Sequence, residues 1–155
     1  MGQLRLIKER RIHIAIMKKS WGLTGKILSG EKKIESRWYM NRSRPWGQIN
    51  PGDIIYFKDS GDPVKIKAEV GEVLQFNYLN CQKVREILEK YGKDDGITRA
   101  ELPGYYEMFK NKKYCLLIFL KNVKKIEPFE INKKGFGSMA AWITIDDLER
   151  IKIRD

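Results

Sequence analysis

Gly30-Glu31-Lys32-Lys33-Ile34-Glu35-Ser36-Arg37 places a glycine turn directly before a strand-like run carrying a lysine, a glutamate and an arginine. In a β-strand, residues two apart share a face. Glu35 and Arg37 therefore project together, with Tyr39 beyond them and Lys32 at the strand mouth. Ile34 and Trp38 take the opposite face, which assigns Trp38 to the core. The spacing predicts charged groups of both signs converging beside a turn. The competing reading is an ion pair between Glu35 and Arg37 on an open sheet face with Lys32 in solvent, worth only about 0–1 kcal/mol.

Outward from this octet, the pattern is that of short strands with a helical interruption. Arg11 to Met17 alternates as a strand does. Ser20 is placed to cap a helix over about Trp21 to Ser29, which Gly30 ends. The octet strand runs to about Met40. Asn41 to Gly47 is a polar loop holding Arg42, Arg44 and Trp46, and Asn50-Pro51-Gly52-Asp53 is a turn. Strands follow at Ile54–Lys58 and Val64–Phe76, where Gly71 predicts a bulge or sharp bend. Val84, Ile87, Leu88 and Tyr91 recur at helical spacing after an Asn80 cap, with Gly92 as the stop. A second helix is expected over Gly104 to Asn111. The most apolar segment, Tyr114 to Ile126, reads as a central strand broken by Glu127-Pro128. Pairing resumes over Phe129 to Ile131, and Leu148 to Ile153 closes the structure as a last strand. These elements predict one α+β domain over residues 1–155, a small β-barrel with two or three peripheral helices.

The chain has 155 residues, 42% of them hydrophobic, which suits one buried core. Thirty-one Lys and Arg against twenty Asp and Glu give a net charge of +11. That excess suits a polyanionic partner, because each neutralised phosphate releases condensed counterions. No apolar run approaches the roughly 20 residues of a membrane span. No signal-peptide core follows the basic N-terminus, so no membrane association and a cytoplasmic location are expected. Cys81 and Cys115, with His13 the single histidine, make too small an inventory for a structural zinc site. No metal and no cofactor are expected. Both thiols read as buried, and His13 reads as a strand-surface or barrel-lining residue.

The order Gly-x-Lys-x-x-Glu-x-Arg resembles the signature of ASCH domains, small β-barrels related to the PUA-like and EVE/YTH-type RNA-binding folds. Gly30, Lys32, Glu35 and Arg37 match its four positions. Ile27-Leu28-Ser29, Asn50 to Phe57 and Lys113 to Pro128 look like the helix end, second-strand entry and late hydrophobic strand of that family. The resemblance implies a PUA-like barrel whose motif lies beside a cleft. It also implies an activity, hydrolysis of acylated cytidine nucleosides, in which the motif lysine supports a threonine nucleophile aided by a later carboxylate. Lys32 matches that lysine, whereas Glu35 stands where the threonine would be. A carboxylate is a poor substitute for a hydroxyl nucleophile, so the departure turns the reading from that chemistry toward binding.

The expected function is thus RNA or nucleotide binding in a basic and aromatic cleft. Lys32 and Arg37 would meet phosphate or base oxygens, and Glu35 would accept from a base amino group or orient Arg37. Trp46, between Arg44-Pro45 and Gly47, is the favoured stacking ring. Tyr39, Arg42, Arg44 and Trp142 complete the candidate set, with Trp142 leaning toward core packing. Arg42 and Arg44 with Lys133 would form a phosphate track if they surround the cleft. The alternative is a hydrolase acting on modified nucleosides, or a ribonuclease, with Lys32 and Glu35 as catalytic candidates: Glu35 as base and Lys32 or Arg37 stabilising a phosphorane. A module for uncharged ligands or proteins explains the charge poorly.

Overall fold

The computed structural model describes residues 10–137 and 139–153. Lys8 of the N-terminal basic cluster and Ser138 of the glycine loop lie outside the described residues. Among the described residues six strands form one sheet: β1 (Ile12–Met17), β2 (Ile34–Tyr39), β3 (Ile54–Asp59), β4 (Val64–Phe76), β5 (Tyr114–Phe129) and β6 (Trp142–Ile145). Three α-helices accompany them among the described residues: α1 (Leu23–Ser29), α2 (Cys81–Tyr91) and α3 (Leu102–Phe109). The strand order is β2-β5-β4-β3-β1-β6, a curled half-barrel in which only β1 and β3 run parallel.

Alternation builds the inner face. Ala15 and Met17 of β1, Ile55 and Phe57 of β3, Ile66, Ala68 and Val70 of β4, and Leu116 and Ile118 of β5 pack into one cluster with Trp142. A second cluster, around Ile14, Tyr56, Ile143 and Ile151, covers the other side of β1 and β3. A third joins Ile34 and Leu117 to Val84, Ile87 and Leu88 of α2. These are the periodic residues that predicted the helix, and Asn80 caps it by accepting from the Lys83 N–H at 2.8 Å.

Several boundaries differ from expectation for identifiable reasons. Ser20 caps nothing. It lies inside a 3₁₀ turn (Lys19–Trp21), and α1 starts after Gly22. β5 is not broken at Glu127-Pro128 but continues to Phe129, which pairs with Val64. Proline lacks only the donor, so a strand end tolerates it. Leu148 to Ile153 is not a strand. Asp147 accepts from the Glu149 N–H and starts a 3₁₀ turn at Leu148–Arg150, leaving a single bridge between Ile131 and Lys152. The closing strand is β6 instead, which sequence alternation did not mark. The predicted irregularity at Gly71 is present as a register shift between Val70 and Val73. Cys115 is buried as expected, but Cys81 is exposed at the start of α2.

Of the two places expected for His13, the structure shows the barrel-lining one: it shares the inner face of β1 with Ala15 and Met17 and is fully buried. Its Nε2 lies 2.9 Å from Asp53 Oδ2, and its Nδ1 lies 3.1 Å from both Trp142 Nε1 and Thr144 Oγ1. An indole N–H can only donate, so Nδ1 accepts and the single proton sits on Nε2, donated to Asp53. The ring is therefore neutral. Burial is the largest influence on it and lowers its pKa from the ordinary 6.5, outweighing the Asp53 carboxylate that raises it. Below that value the unfolded chain takes up a proton that the folded chain refuses, so stability due to His13 is full above it and falls as pH drops through it. Between pH 7.5 and 5, the stability difference between the native chain and His13→Gln in urea unfolding is expected to narrow. A difference that held constant would mean that folding leaves the proton affinity of His13 unchanged, and one that widened would mean that His13 is the cation of an ion pair.

Candidate functional site

The octet lies on an edge. β2 pairs with β5 on one side, from Ile34 opposite Phe119 to Tyr39 opposite Tyr114. Among the described residues no strand pairs with its other side. The opposite end of the sheet, β6, approaches that free edge through side chains. The Arg37 guanidinium lies 5.0 Å over the Trp142 ring, and its NH1 reaches the Ala141 carbonyl at 3.4 Å. Because no strand among the described residues pairs with β2 there, side chains of both parities reach the seam. Glu35 and Arg37 arrive from one face, Ser36 and Trp38 from the other.

The turn after α2 anchors the strand start. Lys33 and Ile34 both donate their N–H groups to the Asp94 carbonyl, at 2.6 and 2.9 Å, and Lys32 bridges Asp95. Lys26 of α1 donates to the Gly96 carbonyl at 2.7 Å. Gly96 has φ +80°, and a Cβ there would sit 3.1 Å from the Lys32 Cβ, so only glycine suits this approach.

The anchoring buries four charges in a chain. Lys32 Nζ donates to Asp95 Oδ1 at 2.5 Å and to the Asp95 carbonyl at 2.9 Å, and lies 3.3 Å from Glu35 Oε1. Glu35 Oε2 in turn accepts from Arg37 Nε and NH2, both at 2.8 Å. Side-chain exposure is 3% for Lys32 and Glu35 and 16% for Arg37, so Arg37 is the outermost member. Burial alone would depress the Lys32 ammonium, but the Asp95 and Glu35 carboxylates outweigh it and hold its pKa above the ordinary lysine value. Burial pushes the Asp95 carboxyl up, against the pull of Lys32 and the Ser36 hydroxyl. Ser36 Oγ donates to Asp95 Oδ2 at 2.5 Å and accepts from Trp38 Nε1 at 3.2 Å. The reading with Lys32 in solvent is excluded by this burial. The Glu35–Arg37 pair does form, as one link of a longer network.

A cleft of about 260 Å³ opens over the network. Lys32, Glu35, Ser36 and Arg37 line it together with Asp95, and Trp21, Trp38, Tyr105 and Phe109 supply aromatic wall. Trp38 stacks on Phe109 at 4.6 Å with planes 7° apart, and Trp21 meets Tyr105 edge-on at 6.1 Å. Trp21 remains 39% exposed, with Lys18 Nζ 5.4 Å above its ring.

Three of the residues singled out from sequence thus line one cleft: Lys32, Glu35 and Arg37. Trp142 lies behind Arg37, buried and bonded to His13. Trp46 is not in the cleft. It is half-buried against the inner core, edge-on to Tyr114 at 5.3 Å and under Arg42 at 5.8 Å. Tyr39 packs on the same core, and its hydroxyl donates to the Arg44 carbonyl. Arg44 lines a separate pocket. Asp95 and Ser36 were missed. Asp95 lies 63 positions from Lys32, beyond any spacing argument, and Ser36 was hidden by its place on the supposed core face of β2. No group of three or more His, Cys, Asp or Glu that could hold a metal occurs among the described residues.

Removing one partner of a buried ion pair strands the other in low dielectric, at a cost of about 3–5 kcal/mol. Asp95→Ala is therefore expected to lower the urea midpoint far more than Lys83→Ala, which breaks only the exposed pair with Glu86. Equal effects would show that Asp95 does not anchor the strand.

No family model matches the chain, and no curated protein matches it. Solved structures do. The ASCH structure from Zymomonas mobilis superposes with a TM-score of 0.61 at 14% identity, covering 86% of this chain and 87% of that one. A point mutant of the same protein gives 0.61 at 15% identity, covering 88% and 91%. Protein EF3133 from Enterococcus faecalis V583 gives 0.50 at 11% identity, covering 81% and 82%. At these identities the likeness speaks to architecture, and the architecture agrees with the signature on β2: this chain has the ASCH-like fold.

Proposed function

We propose that the chain binds RNA or a nucleotide and seats one base in the cleft between β2, α3 and the Lys19–Trp21 turn. The observation that carries this reading is the pairing of an aromatic wall with a charge-balanced floor. Lys32 and Arg37 are offset by Asp95 and Glu35, so the interior is polar without being an anion trap. Flat rings suit a base face, and fixed donors and acceptors suit its edge. The volume lies below the usual 300–1,000 Å³ of small-molecule pockets, which fits one base or nucleoside rather than a stretch of strand. Arg37, the most exposed member of the network, and Lys18 above Trp21 stand at the mouth, where a phosphate would lie. In this arrangement Trp21, not Trp46, is the stacking ring. The excess positive charge and the ASCH-like fold, related to RNA-binding folds, support the same reading.

Trp21→Ala is expected to weaken single-stranded RNA binding roughly tenfold, in keeping with 1–3 kcal/mol per stacked base. Arg37→Ala should weaken it too and flatten its salt dependence, read by fluorescence anisotropy across a salt series. Absence of binding to RNA, DNA and nucleotides at low salt would sink the reading.

A hydrolase reading is favoured by one specific contact. The Ser36 hydroxyl donates to a buried carboxylate that also holds Lys32. Burial raises the affinity of Asp95 for a proton, which suits a group that must accept one from an attacking hydroxyl. Ser36 would then be the nucleophile, with Asp95, not Glu35, as the base. Ser36→Ala is expected to abolish turnover of acylated nucleosides while the protein remains folded. Undiminished turnover in that variant would remove Ser36 from the chemistry.

A further inference from the structure

A second polar pocket, of about 360 Å³, is lined by Arg11, Arg44 and Arg150 with Phe136, Thr144 and Asp146. The three arginines come from distant parts of the chain: the entry to β1, the loop after β2, and the 3₁₀ turn after β6. Each is held by a separate constraint. Arg11 NH1 donates to the Gln48 carbonyl at 2.8 Å, and Arg150 NH1 donates to Asp146 Oδ1 at 3.0 Å. The Arg44 backbone is fixed by the Tyr39 hydroxyl, which donates to its carbonyl at 2.9 Å. A guanidinium has five N–H donors in a planar fork, so Arg11 and Arg150 each keep most of theirs after these contacts. Three cations face one carboxylate, a net excess of positive charge. This contrasts with the cleft, where the charges balance.

We propose that this pocket binds a phosphodiester group of a nucleic-acid strand whose base occupies the cleft, an inference that rests on the binding reading above. Pre-oriented guanidinium forks match phosphate oxygens bidentately. The two sites are linked by β6. Arg37 of the cleft lies over Trp142 at the start of that strand, and Thr144 and Ile145 at its far end line the pocket. Three residues of strand span about 10 Å, and the Arg37 guanidinium stands a further 5.0 Å beyond the Trp142 ring, a path that a strand of a few nucleotides bridges and a free nucleoside does not. The partner is therefore a strand. The base cleft supplies selectivity, and the arginine pocket supplies backbone affinity and register.

The test uses the full chain, an end-labelled unstructured RNA oligonucleotide, and free mononucleosides as a second probe. Arg44→Gln and Arg150→Gln are expected to weaken oligonucleotide binding several-fold each and to lower the salt slope by about 0.7 per lost phosphate contact. Nucleoside binding and the unfolding midpoint should stay unchanged. Lys83→Gln on α2 removes the same charge and controls for the general field. If the two arginine variants match Lys83→Gln in affinity and slope while the native chain binds the oligonucleotide, the pocket is not a contact and the cleft reading stands. If the native chain binds neither probe, both readings fall together.

Discussion

Lys32 is the residue on which the rest of this structure depends. Its ammonium sits in a nearly solvent-free position that only two carboxylates and a carbonyl make tolerable. Those partners tie three separate pieces of chain together. Asp95 brings the turn after α2, Glu35 and Arg37 bring the edge strand β2, and Arg37 passes the connection on to Trp142 on β6. Burying an ion costs several kcal/mol, repaid only when geometry is good and hydrogen bonds meet the remaining valences. Here the accounting is complete, down to the Ser36 hydroxyl on the second Asp95 oxygen and the Trp38 N–H on Ser36. The network therefore defines one arrangement of the helical insertion against the strand edge. A hydrophobic patch of similar area would leave room for sliding.

The same constraint explains why the site is where it is. The sheet curls into a half-barrel whose end strands, β2 and β6, meet through the Arg37–Trp142 contact and not through a backbone ladder. An unpaired strand edge presents free N–H and C=O groups. The chain covers part of this edge with the Asp94–Gly96 turn and leaves the remainder as cleft. A seam of that kind gives access to both faces of one strand, which an interior strand cannot offer. Glu35 and Ser36 are neighbours in sequence and point in opposite directions, yet both line the cleft for this reason.

Sequence reading reached the fold through local signals and failed where information was non-local. The octet placed the strand and its charged face, the Val84–Tyr91 periodicity placed α2, and Gly71 marked the register shift in β4. Each of these is a pattern within a dozen residues. The Asp95 partner of Lys32 was invisible because the two meet only after a strand pair and a helix have intervened. Trp46 was favoured for its arginine neighbours, but the loop folds back onto Tyr114 and takes the ring out of reach. Trp21 looked like an ordinary helix residue, and its exposure follows from the 3₁₀ turn that Gly22 ends. β6 was missed because four residues carry too little alternation to register. In the misassigned Leu148 to Ile153 segment only Ile151-Lys152-Ile153 alternates, and the Asp147 side chain satisfies the backbone in a turn instead.

Net charge and site charge turn out to be separate quantities. The chain carries +11, yet the four ionised groups at the centre of the cleft sum to zero. Positive charge at long range draws a polyanion toward the surface and depends on salt. It does not distinguish one base from another. Discrimination needs fixed donors and acceptors in low dielectric, where a mismatch leaves a buried group unpaired at a cost of about 1–3 kcal/mol. The floor of this cleft holds its groups already oriented: Lys32 by Asp95 and Glu35, Glu35 by Arg37, and Asp95 by Ser36. A free lysine in the same position would accept any anion. Glu35, which matches the signature and stands where a threonine nucleophile would be, therefore has a physical role independent of catalysis: together with Asp95 it offsets Lys32 and Arg37, so that the positive charge of the chain is not concentrated at the centre of the cleft.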